Sequence, residues 1–316
     1  MSTETPDIEI LICTHNRVQL LDSVLTSINE AGRPSDVSIS LLVVANACTD
    51  GTVNYLSTYS ANGDGKIPLR WVEEKTPGKS SALNRGLSMV EANVVSFIDD
   101  DQRVVKDYLV NLIEAINKNP EYGMWCGKLL PDWDGSEPVW VHDNGRYAIR
   151  PLPVPNFDQG DGIMELGMEG RLPQGGNLIV RRSVLERVGE FSTELGPRGH
   201  DLGGGEDSDY IYRALRGGAK LLYVPGVVQL HYVESERCAL SYIMKKAFLR
   251  SKSVVLLEHS HTTLPPKYLY RKMLVHLVSI LTSLYMPRTR YYLVRMAATL
   301  GEFSGCWQGW RQAKKK

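Results

Sequence analysis

Three consecutive carboxylates, Asp99, Asp100 and Asp101, follow directly on Ser96-Phe97-Ile98, which reads as the end of a buried strand. Like charges crowded at a strand end repel one another unless a hard divalent cation neutralises them, and carboxylate oxygens select Mg²⁺ or Mn²⁺ for that role. If side chains alternate strictly, Asp99 and Asp101 share a face while Asp100 points away or reaches a ribose. A solvated turn that caps the next helix is the plain alternative for an isolated acidic triplet. A second cluster, Glu206, Asp207 and Asp209, opens a helical stretch far downstream. The helix dipole favours acids there without any catalysis, but a carboxylate so placed also suits a general base that takes a proton from a hydroxyl.

The elements that must position these groups alternate in the first hundred residues. Residues 8–13, 40–45, 69–72 and 94–98 read as strands, and 18–30, 52–59 and 80–90 as helices with apolar residues three or four apart. Repeated β-α units of this kind predict an α/β fold with a mostly parallel central sheet, whose ligands collect beyond the carboxyl ends of the strands. Polar residues gather at those ends: Thr14, His15, Asn16 and Arg17 after the first strand, and residues 46–50 after the second. Neither G-x-G-x-x-G nor G-x-x-x-x-G-K-[ST] occurs, which argues against dinucleotide and P-loop chemistry. Gly203, Gly204 and Gly205 form a hinge or a surface turn.

The second half is less regular. Residues 131–161 are rich in Pro, Gly, Asp and Trp and predict a long functional loop. Pro173, Gln174, Gly175, Gly176 and Asn177 precede a short strand at 178–180, and Ser183 is placed to cap a brief helix that ends at Val188. A helix is expected over 206–215. Strands at 221–224 and 227–233 would be joined by a turn at Pro225-Gly226, with His231 in the second.

The chain has 316 residues, with 36 basic and 36 acidic side chains. So even a balance offers no field for nucleic acid. Five scattered cysteines without a C-x-x-C pair suit a reducing compartment and offer no zinc site. The polar, acidic first nine residues do not resemble a secretory signal, and the longest apolar stretch, 273–286, is shorter than the about 20 residues that span a membrane. The expected location is cytoplasmic, with the inner face of a membrane as an option.

In order along the chain, Ile10-Leu11-Ile12-Cys13-Thr14-His15-Asn16-Arg17, residues 46–52, Gly78-Lys79-Ser80-Ser81-Ala82-Leu83-Asn84-Arg85-Gly86, the Asp99–Asp101 triplet, and Gly205-Glu206-Asp207-Ser208-Asp209 with Arg213 resemble the motifs of family 2 glycosyltransferases of the GT-A fold. The resemblance runs over about residues 8–250. It implies a nucleotide-sugar-binding half at 1–101, an acceptor-binding and catalytic half at 102–235, and a helical C-terminal extension at 236–316. It further implies an inverting transfer of sugar from a nucleotide diphosphate, UDP being the commonest, to a carbohydrate or lipid-linked acceptor, with a divalent cation as cofactor. Carried over residue by residue, Thr14, Asn16, Arg17, Asn46, Asp50, Lys79, Asn84, Asp99 and Asp100 would bind the donor. Asp99, Asp101 and His231 would hold the metal, and Asp207 would be the base, with Glu206 beside it either raising its proton affinity or contacting the acceptor. The family usually has an aspartate where Ala45 stands, so the base contact would differ or fall to Asn46.

Several residues carry two readings. His231 is a structural histidine or a metal ligand, and Lys79 meets the diphosphate or starts a helix in solvent. Arg237 and Lys245 would reach the diphosphate from a closing loop. Trp133, Trp140 and His142 form a sugar platform or ordinary packing. His142-Asp143 and His200-Asp201 lack the further ligands a metal phosphohydrolase needs. Helices expected over 238–258, 267–286 and 289–312 interleave basic residues with Tyr291, Tyr292, Trp307 and Trp310. They would rest on an anionic membrane surface, pack on the catalytic domain, or form a homodimer. A sugar nucleotidyltransferase would need a glycine-rich basic first loop, and a non-catalytic nucleotide-sugar-binding module would keep the fold without the base.

Overall fold

The computed structural model describes residues 7–61, 66–150, 152, 154–173, 176–195, 205–258 and 264–314. The chain divides into two compact units, one of Met1–Asp132 with Pro155–Tyr232, the other of Trp133–Val154 with Val233–Lys316. One sheet runs through residue 101, so the stretches before and after it share the first unit. The segment 133–154 groups with the C-terminal helices in the second unit.

In the first unit, β1 (Ile8–Thr14), α1 (Val18–Glu30), β2 (Ile39–Asn46), α2 (Thr52–Ala61), β3 (Leu69–Glu74), α3 (Lys79–Leu87) and β4 (Val94–Asp99) follow one another as the alternation of apolar runs predicts. The triplet then turns the chain into β5 (Gln102–Val104), and α4 (Tyr108–Lys118), β6 (Met124–Asp132), β7 (Met164–Leu166), β8 (Leu178–Arg181), α5 (Arg182–Val188), α6 (Glu206–Arg216) and β9 (Leu221–Tyr232) complete the unit. The strand order is β3-β2-β1-β4-β8-β6-β9-β5, with β7 also on β9. Strands β1 to β4 are mutually parallel, and β8 is antiparallel to both β4 and β6. Central β1 is apolar on both faces: Ile10 and Ile12 pack in one core with Leu21 and Leu25 of α1, Leu11 in the other with Leu83 of α3 and Tyr210 of α6. Glu9 is buried and is held bidentately by Arg70, so its charge does not go unpaired.

Two expectations change here. The Pro225-Gly226 hairpin does not exist: β9 is one strand, parallel to β6, with a bulge in which Tyr223 opposes Cys126 and Val228 opposes Lys128. The bulge's carbonyls are caught by side chains, Asn111 Nδ2 donating to Gly226 O at 2.7 Å and Asn177 Nδ2 to Val227 O at 3.0 Å. Ser183 is not the cap of α5, which starts at Arg182 after Arg181 and has no side-chain cap.

A buried polar network ties the two halves of the sheet. Tyr108 Oη lies 2.9 Å from Ser96 Oγ of β4 and accepts from Gln229 Nε2 of β9 at 3.0 Å, and Gln229 also donates to Asn177 Oδ1 at 3.3 Å. All four residues are buried, so a slip of β9 would strand several polar groups at once.

The second unit contains α7 (Leu240–Glu258), α8 (Lys267–Leu281) and α9 (Met286–Ala313). The α8–α9 break falls at 282–285, earlier than expected, because Pro287 sits in the first turn of α9, where its missing N–H costs nothing. A small core of Val141, Val233 and Cys238 forms with Trp133 and Trp140.

A Cβ on Gly127 would lie 1.7 Å from Val227 O, where backbone cannot yield easily. Gly127→Ala is expected to destabilise the protein by about 1–3 kcal/mol through overpacking at the bulge. The check is a lowered midpoint of urea unfolding with unchanged slope.

Candidate active site

Both acidic clusters meet at one ammonium group. Lys79, the first residue of α3, places Nζ 2.9 Å from Asp99 Oδ1, 3.8 Å from Glu206 Oε1 and 3.9 Å from Asp207 Oδ2. The end of β4 and the starts of α3 and α6 are thereby brought together. Burial alone would lower the Lys79 pKa, yet Asp207, Asp99 and Glu206 raise it well above the ordinary value. For Asp99 burial pushes upward, but Lys79 wins and holds it below the ordinary carboxylate value. Glu206 goes the other way, raised first by burial and then by repulsion from Asp207, and its Oε2 is buried without a partner among the described residues.

The rest of the triplet turns toward α1 and β9. Arg17, just before α1, donates from Nη1 to Asp100 Oδ1 at 3.0 Å and Asp101 Oδ2 at 2.9 Å. Burial and the neighbouring Asp101 push the Asp100 pKa up to about 6 against the pull of Arg17. Asp100 is thus neither solvated nor turned away from its neighbours. His231 lies opposite Gln102 in the β5–β9 ladder, with Nε2 3.5 Å from Asp101 Oδ1. Its Nδ1 is 2.6 Å from the Tyr232 carbonyl, which can only accept, so Nδ1 carries a proton there. In the neutral ring Nε2 then offers a lone pair toward a carboxylate oxygen, an N/O donor pair that fits a divalent cation. Asp99, assigned to the same metal from sequence, instead faces Lys79 and Gln102. No group of three potential ligands is preassembled among the described residues.

Four residues expected to touch the donor make hydrogen bonds that shape the loops. Asn46 donates to Glu74 O at 3.2 Å and Thr76 O at 2.7 Å and accepts from Gly78 N at 2.9 Å, so its amide holds the loop that presents Lys79 and has no donor left for a nucleotide base. Asn84 makes a reciprocal pair with the Phe191 backbone, at 2.9 and 2.8 Å. Asp50 accepts from the N–H and hydroxyl of Thr52 at the start of α2; these bonds outweigh burial and keep its pKa low. Asn16, at φ 55°, accepts from the N–H groups of Thr49 and Asp50, fastening the first loop to the second. Thr14 is buried at the end of β1.

In the second unit, Trp133 packs edge-on against His142, whose Nε2 is 2.8 Å from Glu137 Oε1, and Arg237 is paired with Glu234. Gln174, Gly175, His200, Asp201, Gly203 and Gly204 lie outside the described residues. Sequence reasoning missed Gln102, whose amide brackets the Asp99 backbone and carboxylate, and Gly176, where a Cβ would lie 2.2 Å from Gln102 Oε1. The only signal for Gly176 was its place beside Asn177.

The profile of Glycosyl transferase family 2 matches residues 9–189. Among curated proteins, the glucosyl-dolichyl phosphate glucuronosyltransferase of Haloferax volcanii is 25% identical over 126 residues, 40% of this chain and 38% of that protein. The chain thus spans well under half of that relative. The succinoglycan biosynthesis protein ExoM of Rhizobium meliloti is 22% identical over 249 residues, 78% of this chain and 74% of its own. Among solved structures, the mannosyltransferase PcManGT from Pyrobaculum calidifontis, in complex with GDP-Man and Mn²⁺, aligns with a TM-score of 0.55 at 18% identity, over 94% of this chain and 88% of that one.

Lys79→Met is expected to cost about 3 kcal/mol at neutral pH, the low end for breaking a buried pair because a fifth of the lysine side chain stays wet, at 20% exposure. Asp99 sits below its ordinary 3.8. Its contribution is complete above that value and lost as pH falls through its depressed folded pKa. The gap between wild type and variant should therefore be full at neutral pH and begin to narrow only below about pH 4, as thermal unfolding across pH will show.

Proposed function

The chain belongs to glycosyl transferase family 2 and is a glycosyltransferase of the GT-A fold, and on that premise we propose that it moves a sugar, with inversion, from a nucleoside diphosphate to an acceptor hydroxyl. The observation that carries the reading is the meeting of both acidic clusters at Lys79. The acceptor is a hydroxyl of a glycan, glycolipid or other conjugate, the classes handled by polysaccharide and glycoconjugate assembly.

In this reading Asp207 accepts the acceptor's proton as the acceptor oxygen bonds to the anomeric carbon. The bond from that carbon to the diphosphate oxygen breaks on the opposite face, and a single displacement inverts the centre. Lys79 and Arg17 supply positive charge where the diphosphate leaves. Asp101 and His231 would hold a divalent cation, with Asp99 joining once Lys79 turns to the donor. The cation would act as a Lewis acid on the departing diphosphate. Glu206, the buried neighbour of Asp207, repels it as a like charge.

Asp207→Asn is expected to lower kcat by about 10²- to 10⁴-fold while leaving donor affinity near wild type, because only the proton acceptor is removed. A non-catalytic binding module would show no turnover to lose. A thermal-shift screen of nucleoside diphosphates with and without Mn²⁺ should give a base-specific, cation-dependent rise in Tm. Asp101→Asn should abolish the cation-dependent part and keep the rest; an unchanged cation increment removes Asp101 from the metal site.

A further inference from the structure

Helix α8 is inside out. Its side chains packed toward α9 include polar ones: His276 and Ser279 are buried beside Leu269. Thr299 Oγ1 of α9 lies 3.4 Å from His276 Nδ1, and Lys272 Nζ reaches both Glu302 oxygens at 2.8 and 2.9 Å. The outward face carries Leu274, Val275, Leu277, Val278 and Leu281, each 46–75% exposed. The turn into α9 adds Tyr285, Met286 and Leu284, the last at 104% exposure. A surface helix in water shows the reverse pattern. A contiguous apolar face of this kind marks a helix whose outer neighbour is not water.

The charges around the face say which neighbour. Between Glu258 and Glu302 the chain has no acidic residue, while it has Lys267, Arg271, Lys272, Arg288, Arg290 and Arg295. Residues 273–287 carry no Lys, Arg, Asp or Glu at all. Lys272 and Arg290 are paired with Glu302 and Asp143, whereas Lys267, Arg271 and Arg295 are exposed, the first two on α8 itself. Tyr268 and Tyr270, also exposed, have the amphipathic rings that sit at headgroup depth. Two copies of such a face would set basic rims against each other with no acid from the segment to answer them. An anionic lipid surface answers both features, attracting the rim and taking up the apolar side chains. The 15 residues of α8 reach about 22 Å, short of the about 30 Å of a hydrocarbon core. No helix among the described residues is long and apolar enough to cross a membrane.

We propose that the outward face of α8 and the turn at 282–285 dock on the surface of an anionic phospholipid bilayer. Leu274, Leu281, Leu284 and Met286 enter the acyl boundary, and Lys267, Arg271 and Arg295 meet headgroup phosphates. None of the active-site residues takes part, so docking and sugar transfer fail in separate assays.

The test is co-sedimentation of the full chain with vesicles of phosphatidylcholine alone and of phosphatidylcholine mixed with phosphatidylglycerol. Partition into the mixed vesicles is expected to be on the order of tenfold stronger, and to weaken as salt is raised. The combined variant Leu281→Ser, Leu284→Ser, Met286→Ser should lose partition by on the order of tenfold or more while keeping its circular dichroism. Leu284→Trp should shift its emission to the blue with mixed vesicles. Equal pelleting with and without vesicles, or a tryptophan spectrum that the vesicles leave unchanged, would overturn the proposal. So would a dimer in sedimentation velocity that the triple-serine variant converts to monomer, since it would assign the face to a second copy.

Discussion

The arrangement of the first unit depends on one ammonium group among three carboxylates. Asp99, Glu206 and Asp207 lie within 4 Å of Lys79 Nζ in a site where Glu206 is buried, and without that charge their mutual repulsion would act through a medium far less screening than water. Lys79 and Glu206 are the first residues of their helices, so two helix N-termini with their favourable field for anions point at the same place. An anionic diphosphate and a base that must accept a proton need the same surroundings. Positive charge is held ready beside carboxylates that cannot all neutralise themselves by proton uptake at once.

What keeps Lys79 in reach is largely amide chemistry. Asn46 fastens the β3–α3 loop, Asn84 holds α3 to the Phe191 backbone, and Asn16 joins the first two loops. Beneath them the Ser96–Tyr108–Gln229–Asn177 network sets the register of β9, and through it places His231 beside Asp101. These side chains brace the loops, because an asparagine that satisfies two or three backbone groups holds a loop firmly.

The second unit follows a different physical rule. In α8 polar side chains face inward toward α9, and Leu274, Val275, Leu277, Val278 and Leu281 face out. The helical period was plain in the sequence, but period alone does not say which stripe packs. The stripe that packs carries His276, Ser279 and Lys272, the last paired with Glu302 of α9.

By itself the chain determined the parallel strands of the first hundred residues, since runs such as Ile8–Thr14 have no other way to bury both faces, and it marked both acidic clusters, because adjacent carboxylates are legible wherever they occur. It did not determine the end of β6, where Pro131 opens a stretch that reads as loop, nor the bulge of β9, whose Pro225-Gly226 reads as a turn until the facing strand is known. The roles of Asn46, Asn84 and Asp50, and the turn of Asp99 toward Lys79, were decided only in three dimensions. An amide or carboxylate has the same donors and acceptors whether it binds a ligand or a backbone, and only the tertiary contacts settle which of them is near enough to take them.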